Sequence, residues 1–295
     1  MIDEERQSSW GILIALYVFC AGVGGGVFLF SLVMDLLGVY SPVARWGAIA
    51  GPILVITGAL LLLFDLGSAG RAYRLFTSPS TLMSSWMARG AWILLAFIVF
   101  GLAYALPAFR PFAWLPWAQS AALRDVFGIV AGILSLLVIV YPGFLFGVLK
   151  SVPFWNNGIL PLLFFFSGLE TGIALLVLIG LSSGSFQTAD LHLLATGDII
   201  FIALLLVILG VYLETARHSS MAARSSLRLL KAAVFVFGVV IFGLLLPLAL
   251  LSASYFLSDH SVIRFLAMTA SILLLLGAFS LRYSVIRAGV QSGVL

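Results

Sequence analysis

The sequence predicts an all-α, polytopic membrane protein with eight transmembrane helices. Three observations predict it. Of 295 residues, 63% are apolar and only 9% are charged, with a mean hydropathy of +1.22. An average soluble domain is about 25% charged, so this sequence has too few charges to cover a water-facing surface. The apolar residues fall in eight runs of roughly 20, the length that crosses a bilayer core. The breaks between runs collect most of the prolines and most of the charges, whose irregular backbone lipid would leave unsatisfied. Disorder, a collagen, a small disulfide scaffold and an ordinary cytosolic enzyme are excluded. The lone Cys20 excludes an internal disulfide and a Cys-ligated metal or Fe–S cluster.

The runs lie near 10–34, 46–65, 89–107, 125–149, 158–182, 196–215, 228–252 and 262–286. The acidic start, Met1 to Arg6, lacks a signal peptide's basic region, and the first run is too long for a signal, so it is expected to stay as a helix. Gly38–Arg45 breaks at Pro42. The stretch Gly67–Arg89 holds Arg71, Arg74 and Pro79. Pro107–Arg124 carries Trp114 and Trp117, as an interfacial belt does. Lys150–Asn157 is short and polar, Ser182–Thr196 is rich in Ser and Gly, Thr215–Leu227 is basic, and Ala253–Ser261 carries Asp259 and His260. No composition shift marks a second domain.

Eight spans put both termini on one side, here the N-terminal face. Arg6, Arg71, Arg74, Arg89, Lys150, Arg217, Arg224, Arg228, Lys231, Arg282 and Arg287 fall to it. Arg45, Arg110, Arg124 and Arg264 fall to the far face. The positive-inside rule then makes both termini cytoplasmic. The net charge of +4 reads as this topology rather than as nucleic-acid binding.

Ionisable groups inside a membrane are costly and commonly mark function. Glu170 sits near the middle of the fifth run, so it is expected to be protonated or paired. It reads either as a neutral group bonding across helices or as a proton carrier. Asp65 ends the second run, where Arg71 can close on it as an ion pair. Asp35 and Asp198 read as carboxylates near the far face, hydrated at the interface. Asp65, Glu170 and Asp198 thus occupy near, middle and far depths, a ladder that a proton path could use. His192, His218 and His260 fall in loops or at helix edges, so no facing pair is expected to ligate haem, and no metal-binding spacing occurs.

The cluster Gly22-Val-Gly-Gly-Gly26 lies inside an apolar run, where its GxxxG spacing admits another helix or a flat ligand. Tyr17, just before it, and Tyr141, short of Lys150, lie at similar depths on the N-terminal side. They read as interfacial anchors or as two phenols able to bond the carbonyls of a quinone.

Six strings bear on that choice. They are Asp65-Leu-Gly with Arg71; Met83-Ser84 with Gly90 and Trp92; Tyr141-Pro-Gly-Phe-Leu-Phe-Gly; Pro153-Phe-Trp-Asn156; Phe166-Ser-Gly-Leu-Glu-Thr-Gly172; and Arg282-Tyr-Ser-Val-Ile-Arg-Ala-Gly289. In this order and spacing the chain resembles, over essentially its whole length, the NrfD/PsrC family of membrane subunits of polysulfide-reductase-like complexes. The resemblance implies two four-helix bundles without haem or metal, in a prokaryotic cell (inner) membrane. It implies a quinone, usually menaquinone, and a ferredoxin-like [4Fe–4S] partner wired to a molybdopterin-type catalytic subunit. In the polysulfide-reductase type the quinone meets a Tyr on the fourth helix, which Tyr141 matches. It also meets a His just before the first helix's glycines, where this chain has Tyr17. A hydrogen-bonding Asn one turn earlier is matched by apolar Ile14. The candidate site is Tyr17, Tyr141 and Gly22 for the quinone; Asp65 and Arg71, on the same side, could pass protons to or from water, and Glu170 and Asp198 join as proton carriers on the depth ladder alone. Many relatives carry the iron–sulfur partner on the outer side, against the positive-inside count. A secondary transporter and a passive anchor without quinone chemistry are the competing readings, although the two halves of the chain show no internal repeat.

Overall fold

The computed structural model describes residues 10–39, 41–66, 85–230 and 233–291. Six long helices come first: α1 (Ile12–Leu36), α2 (Ser41–Leu66), α3 (Trp86–Ala105), α4 (Ala121–Gly147), α5 (Leu160–Ser182) and α6 (Thr188–Ser219). A short helix, α7 (Met221–Leu230), precedes the seventh span. That span opens as a π-helical stretch, Val234–Leu245, and continues as α8 (Leu246–Ser254); α9 (His260–Arg287) closes the fold. Among the described residues, eight helices are long and apolar enough to cross a membrane. Large apolar side chains such as Phe64, Val99, Ile133, Val207 and Phe237 face outward along them, as a lipid-facing surface requires.

α1 packs on α2 and α4, and α3 completes the ring by contacting the same two helices. α5, α6, the seventh span and α9 close a second ring. The rings share a seam of α1 against α5, supported by α4 on α5 and α1 on α9.

The glycine cluster explains why α1 can sit in the middle. A helix turns about 100° per residue, so successive positions look toward different neighbours. A Cβ added at Gly24 would lie 2.8 Å from the Gly51 carbonyl of α2, and one at Gly25 2.9 Å from the Ser135 carbonyl of α4. One at Gly26 would meet the α5 backbone at Gly168 and Gly172. Each absent side chain lets a different helix reach the α1 backbone, the close approach that small residues permit in membranes.

α1 and α5 end on the far face in the same way. Gly38 and Gly184 take positive φ (68° and 65°), and the amide of each glycine and of the residue after it bonds back into the last turn. On the N-terminal face the α4–α5 connection folds inward. Its Trp155 indole donates to the Val285 carbonyl (2.9 Å), and its Phe154 carbonyl accepts from the Tyr212 hydroxyl (2.8 Å). Both rings are fully buried and tie that loop to α6 and α9.

Two runs differ from their sequence boundaries. The sixth was expected at 196–215, but α6 begins at Thr188 because the Gln187 and Asp190 side chains form reciprocal caps there. Capping rather than hydropathy sets that start, so His192 lies on the helix rather than in a loop. The seventh, expected at 228–252, divides into amphipathic α7 and a span starting at Val234. Its π winding is unusually long for a form found mostly as single turns. There, a Cβ at Gly243 would lie 2.6 Å from Gly277 Cα, marking where the span crosses α9.

Candidate functional site

Two layers of polar groups lie inside the helices, and both involve α1. The first is near the N-terminal face. Tyr17 lies roughly 8 Å inside the start of α1, and Tyr141 roughly 9 Å inside the end of α4, at 1.5 Å per residue. The similar depths expected from the sequence hold, and the two phenols are within electrostatic reach of each other. Tyr141 donates to the Trp86 carbonyl at the start of α3 (3.1 Å). Its ring occupies the space a side chain at Gly90 would fill, so Gly90 is what admits it. The Tyr17 ring lies against Gly58 of α2. Its hydroxyl is fully buried and has no hydrogen-bond partner among the described residues. A buried hydroxyl without a partner forgoes about 1–3 kcal/mol, so this one is poised for an acceptor.

The second layer centres on Arg282 of α9, which is 0% exposed and whose guanidinium reaches deeper, to Gly22 roughly 15 Å along α1. Its Nη1 donates to the Ser167 hydroxyl and to the Ala278 carbonyl, each at 3.0 Å. Its guanidinium fills the space over Gly22 and lies within 6 Å of the Phe19 and Phe164 ring centres. Nε and Nη2 have no partner among the described residues. Glu170 of α5, equally buried, is within electrostatic reach of Arg282 but forms no ion pair with it among the described residues, and its Oε2 is unpartnered.

Asp198 corrects its sequence placement. Because α6 starts at Thr188, Asp198 lies roughly 15 Å from the far end, close to the depth of Glu170. It is 1% exposed, within electrostatic reach of Glu170, and its Oδ1 is unpartnered. The hydrated, interfacial reading of Asp198 is overturned, and the ladder of three depths becomes a mid-depth pair with Asp65 far from it. Asp65 is exposed at the end of α2. Arg71 lies outside the described residues, so the Asp65–Arg71 pair is untouched by the geometry.

Two further positions are revised. Gly22 offers no open slot to a flat ligand, because Arg282 occupies it. Arg282, counted with the loop charges of the N-terminal face, belongs to the interior. Its placement inside the eighth apolar run, rather than after it, was the available signal. Asp35, by contrast, is interfacial as expected, but it is paired. Its Oδ2 accepts from the Tyr104 hydroxyl and the Arg124 guanidinium, both at 2.5 Å. His192 stacks on Tyr255, His260 bonds the Thr188 hydroxyl, and His218 bonds Glu214. Among the described residues no group of three or more His, Cys, Asp or Glu is placed to hold a metal ion.

The four later strings of the sequence meet in space. Phe146 packs on Trp155, Trp155 bonds the Val285 carbonyl, and Arg282 bonds Ser167. The fold and its interior define a multi-pass helical membrane protein with a buried polar core and a separate phenolic site near one face. The chain belongs to the NrfD family: the family model described as polysulphide reductase, NrfD, matches residues 1–292. It is 30% identical to a polysulfide reductase chain of Wolinella succinogenes, over 98% of this protein and 96% of that one. It is 26% identical to the NrfD homolog of Haemophilus influenzae, over 95% and 94% of the two proteins. It is 24% identical to a selenate reductase subunit of Mesobacillus selenatarsenatis, over 84% and 67%.

Proposed function

We propose that this chain is the quinone-reactive membrane subunit of a multi-subunit respiratory oxidoreductase in a prokaryotic inner membrane. It exchanges electrons between a quinone, menaquinone by resemblance, and a ferredoxin-like [4Fe–4S] subunit linked to a molybdopterin-type catalytic subunit. The observation that carries the reading is the Tyr17 hydroxyl, buried, unpartnered and level with Tyr141. A quinone carbonyl is an acceptor that such a hydroxyl lacks, so the residues present fit the group.

A bound quinone supplies a two-electron, two-proton couple that no side chain here can provide. The protein supplies the rest. Tyr17 would donate to one carbonyl, and Tyr141, its hydroxyl held by the Trp86 carbonyl, would flank the ring. The aromatic pair Trp86 and Phe144, stacked at 5.9 Å, walls this region beside α4. Asp65 and Arg71, at the N-terminal face, exchange protons with water. Glu170 and Asp198 are carboxyls at one depth across α5 and α6, which suits proton transfer deeper in the membrane. A site near one face also keeps electron transfer to an external cluster short. With Arg282 assigned to the interior, basic residues still favour the N-terminal face by ten to four, which supports the reading that both termini, and the partner subunits, face the cytoplasm.

The test is quinone-coupled turnover in the assembled complex. Tyr141→Phe and Asp65→Asn each lower it on the order of tenfold or more, the scale of a lost positioning or proton-transfer group. Assembly with the soluble subunits is preserved. Normal turnover in both variants removes the site, and a purified complex without quinone supports a passive anchor instead.

A further inference from the structure

We infer that the groove between the end of α6, α7 and the start of the seventh span binds an anionic phospholipid. The groove is a cavity of about 870 Å³ on the N-terminal face, away from both tyrosines. Arg217, Arg224 and Arg228 line it against a single acid, Glu214. Glu214 is already engaged: it lies 3.8 Å from Arg217 and bonds His218 at 2.8 Å. The excess positive charge therefore rests on Arg224 and Arg228.

The sequence of α7 sets this up. Ala222, Ala223, Ser226 and Leu230 are buried on one side of the helix, while Arg224 and Arg228, one turn apart, are exposed on the other. The helix is fixed at two points. The Ser226 hydroxyl accepts from the Val290 amide after α9 (3.1 Å), and Arg224 Nε donates to the Arg217 carbonyl at the end of α6 (2.9 Å). That bond uses one nitrogen of Arg224. Its other nitrogens, and the whole of Arg228, have no partner among the described residues.

The rest of the lining is apolar: Leu213, Leu227, Phe235 and Val236. Exposed Val234 and Phe237 continue that surface along the seventh span toward acyl-chain depth. Guanidiniums at the height where spans end, above an apolar wall running into the membrane, complement a phosphate carrying acyl chains. Basic pockets between transmembrane helices hold anionic headgroups in this way. An acidic loop of a soluble partner would match the charges but leave the apolar wall uncovered.

The experiment is native mass spectrometry of the full chain within its complex, in detergent, titrated separately with phosphatidylglycerol and phosphatidylcholine. The wild type is expected to retain one phosphatidylglycerol. Retention falls on the order of tenfold in Arg224→Ala/Arg228→Ala. Arg228→Ala alone, which breaks no described contact, gives a smaller loss with an unchanged elution profile, and Arg224→Lys/Arg228→Lys restores most of the binding. Equal retention of the two lipids, or of phosphatidylglycerol by the wild type and both alanine variants, overturns the site. So does soluble glycerophosphoglycerol binding as well as the lipid. Loss of a soluble subunit from the alanine variants with lipid retention unchanged also overturns it, and would make the face a protein-docking surface.

Discussion

The first bundle and the second treat their buried charges in opposite ways. In the first, the far-face carboxylate Asp35 is matched by Arg124 and Tyr104, at the membrane edge and half-buried. In the second, Arg282, Glu170 and Asp198 are fully buried at mid-depth, and each keeps at least one polar atom without a partner among the described residues. A satisfied cluster near water adds modestly to stability and asks for nothing further. An unsatisfied one in a low-dielectric interior is costly, and the fold retains it where water, protons or ligand complete it. The difference separates a structural clasp from a working interior.

The largest expected effect breaks the second cluster. Arg282→Ala removes two hydrogen bonds and leaves a void over Gly22, between α1, α5 and α9. Lost bonding and the cavity together cost roughly 3 kcal/mol or more, read as a drop of several degrees in the melting temperature of the purified complex. Glu170→Gln sharpens the point, because it keeps the shape while removing the titrating group. It is expected to fold and to bind partners normally while lowering the proton-to-electron ratio in proteoliposomes. An unchanged ratio would return Glu170 to the role of interhelical packing.

That contrast was only partly legible in the sequence. The eight spans were, because lipid forces backbone bonds inside each segment and leaves a long apolar run as the signal. The shared depth of Tyr17 and Tyr141 followed from their distances to the ends of their runs. Asp198 was misplaced because the start of α6 is fixed by the Gln187–Asp190 caps, in a stretch whose polarity reads as a loop. Arg282 was missed because an arginine near the end of an apolar run looks like a side chain snorkelling to the surface. Only packing shows that Gly22 opens a berth for it. The glycines announced close approach, but which helix each one admits depends on the rotation of α1 among its four neighbours.

A smaller effect is expected from the first cluster. Arg124→Ala leaves Asp35 its bond from Tyr104 and access to water, so the cost is about 1 kcal/mol. Tyr104→Phe should cost a similar amount, and the double variant should show coupling between the two, since both donate to the same Asp35 oxygen. Thermal unfolding of the four proteins in one detergent measures it. Quinone turnover should stay at the wild-type level in all of them, and a loss of turnover in Arg124→Ala would erase the distinction between clasp and working interior.

The smallest effect belongs to the far-face turn that starts α9. There Asp259 caps the helix, its Oδ1 accepting from the Ser261 amide (2.8 Å) and the Ser261 hydroxyl (2.5 Å). Those bonds, the hydroxyl first, hold its carboxyl below the usual carboxylate range. A lowered pKa means the folded state favours the ionised form. The stabilisation is therefore present above the unfolded value of about 4 and is lost as the pH falls through the lower folded value. Asp259→Ala should depress the melting temperature slightly at neutral pH, and the gap from the wild type should close under acid. Because the carboxylate is fully exposed, the gap should remain far smaller than for Arg282→Ala. A gap of equal size would mean that exposure to water does not separate these two charges, and that the contrast between the edge and the interior of the membrane is not what governs them.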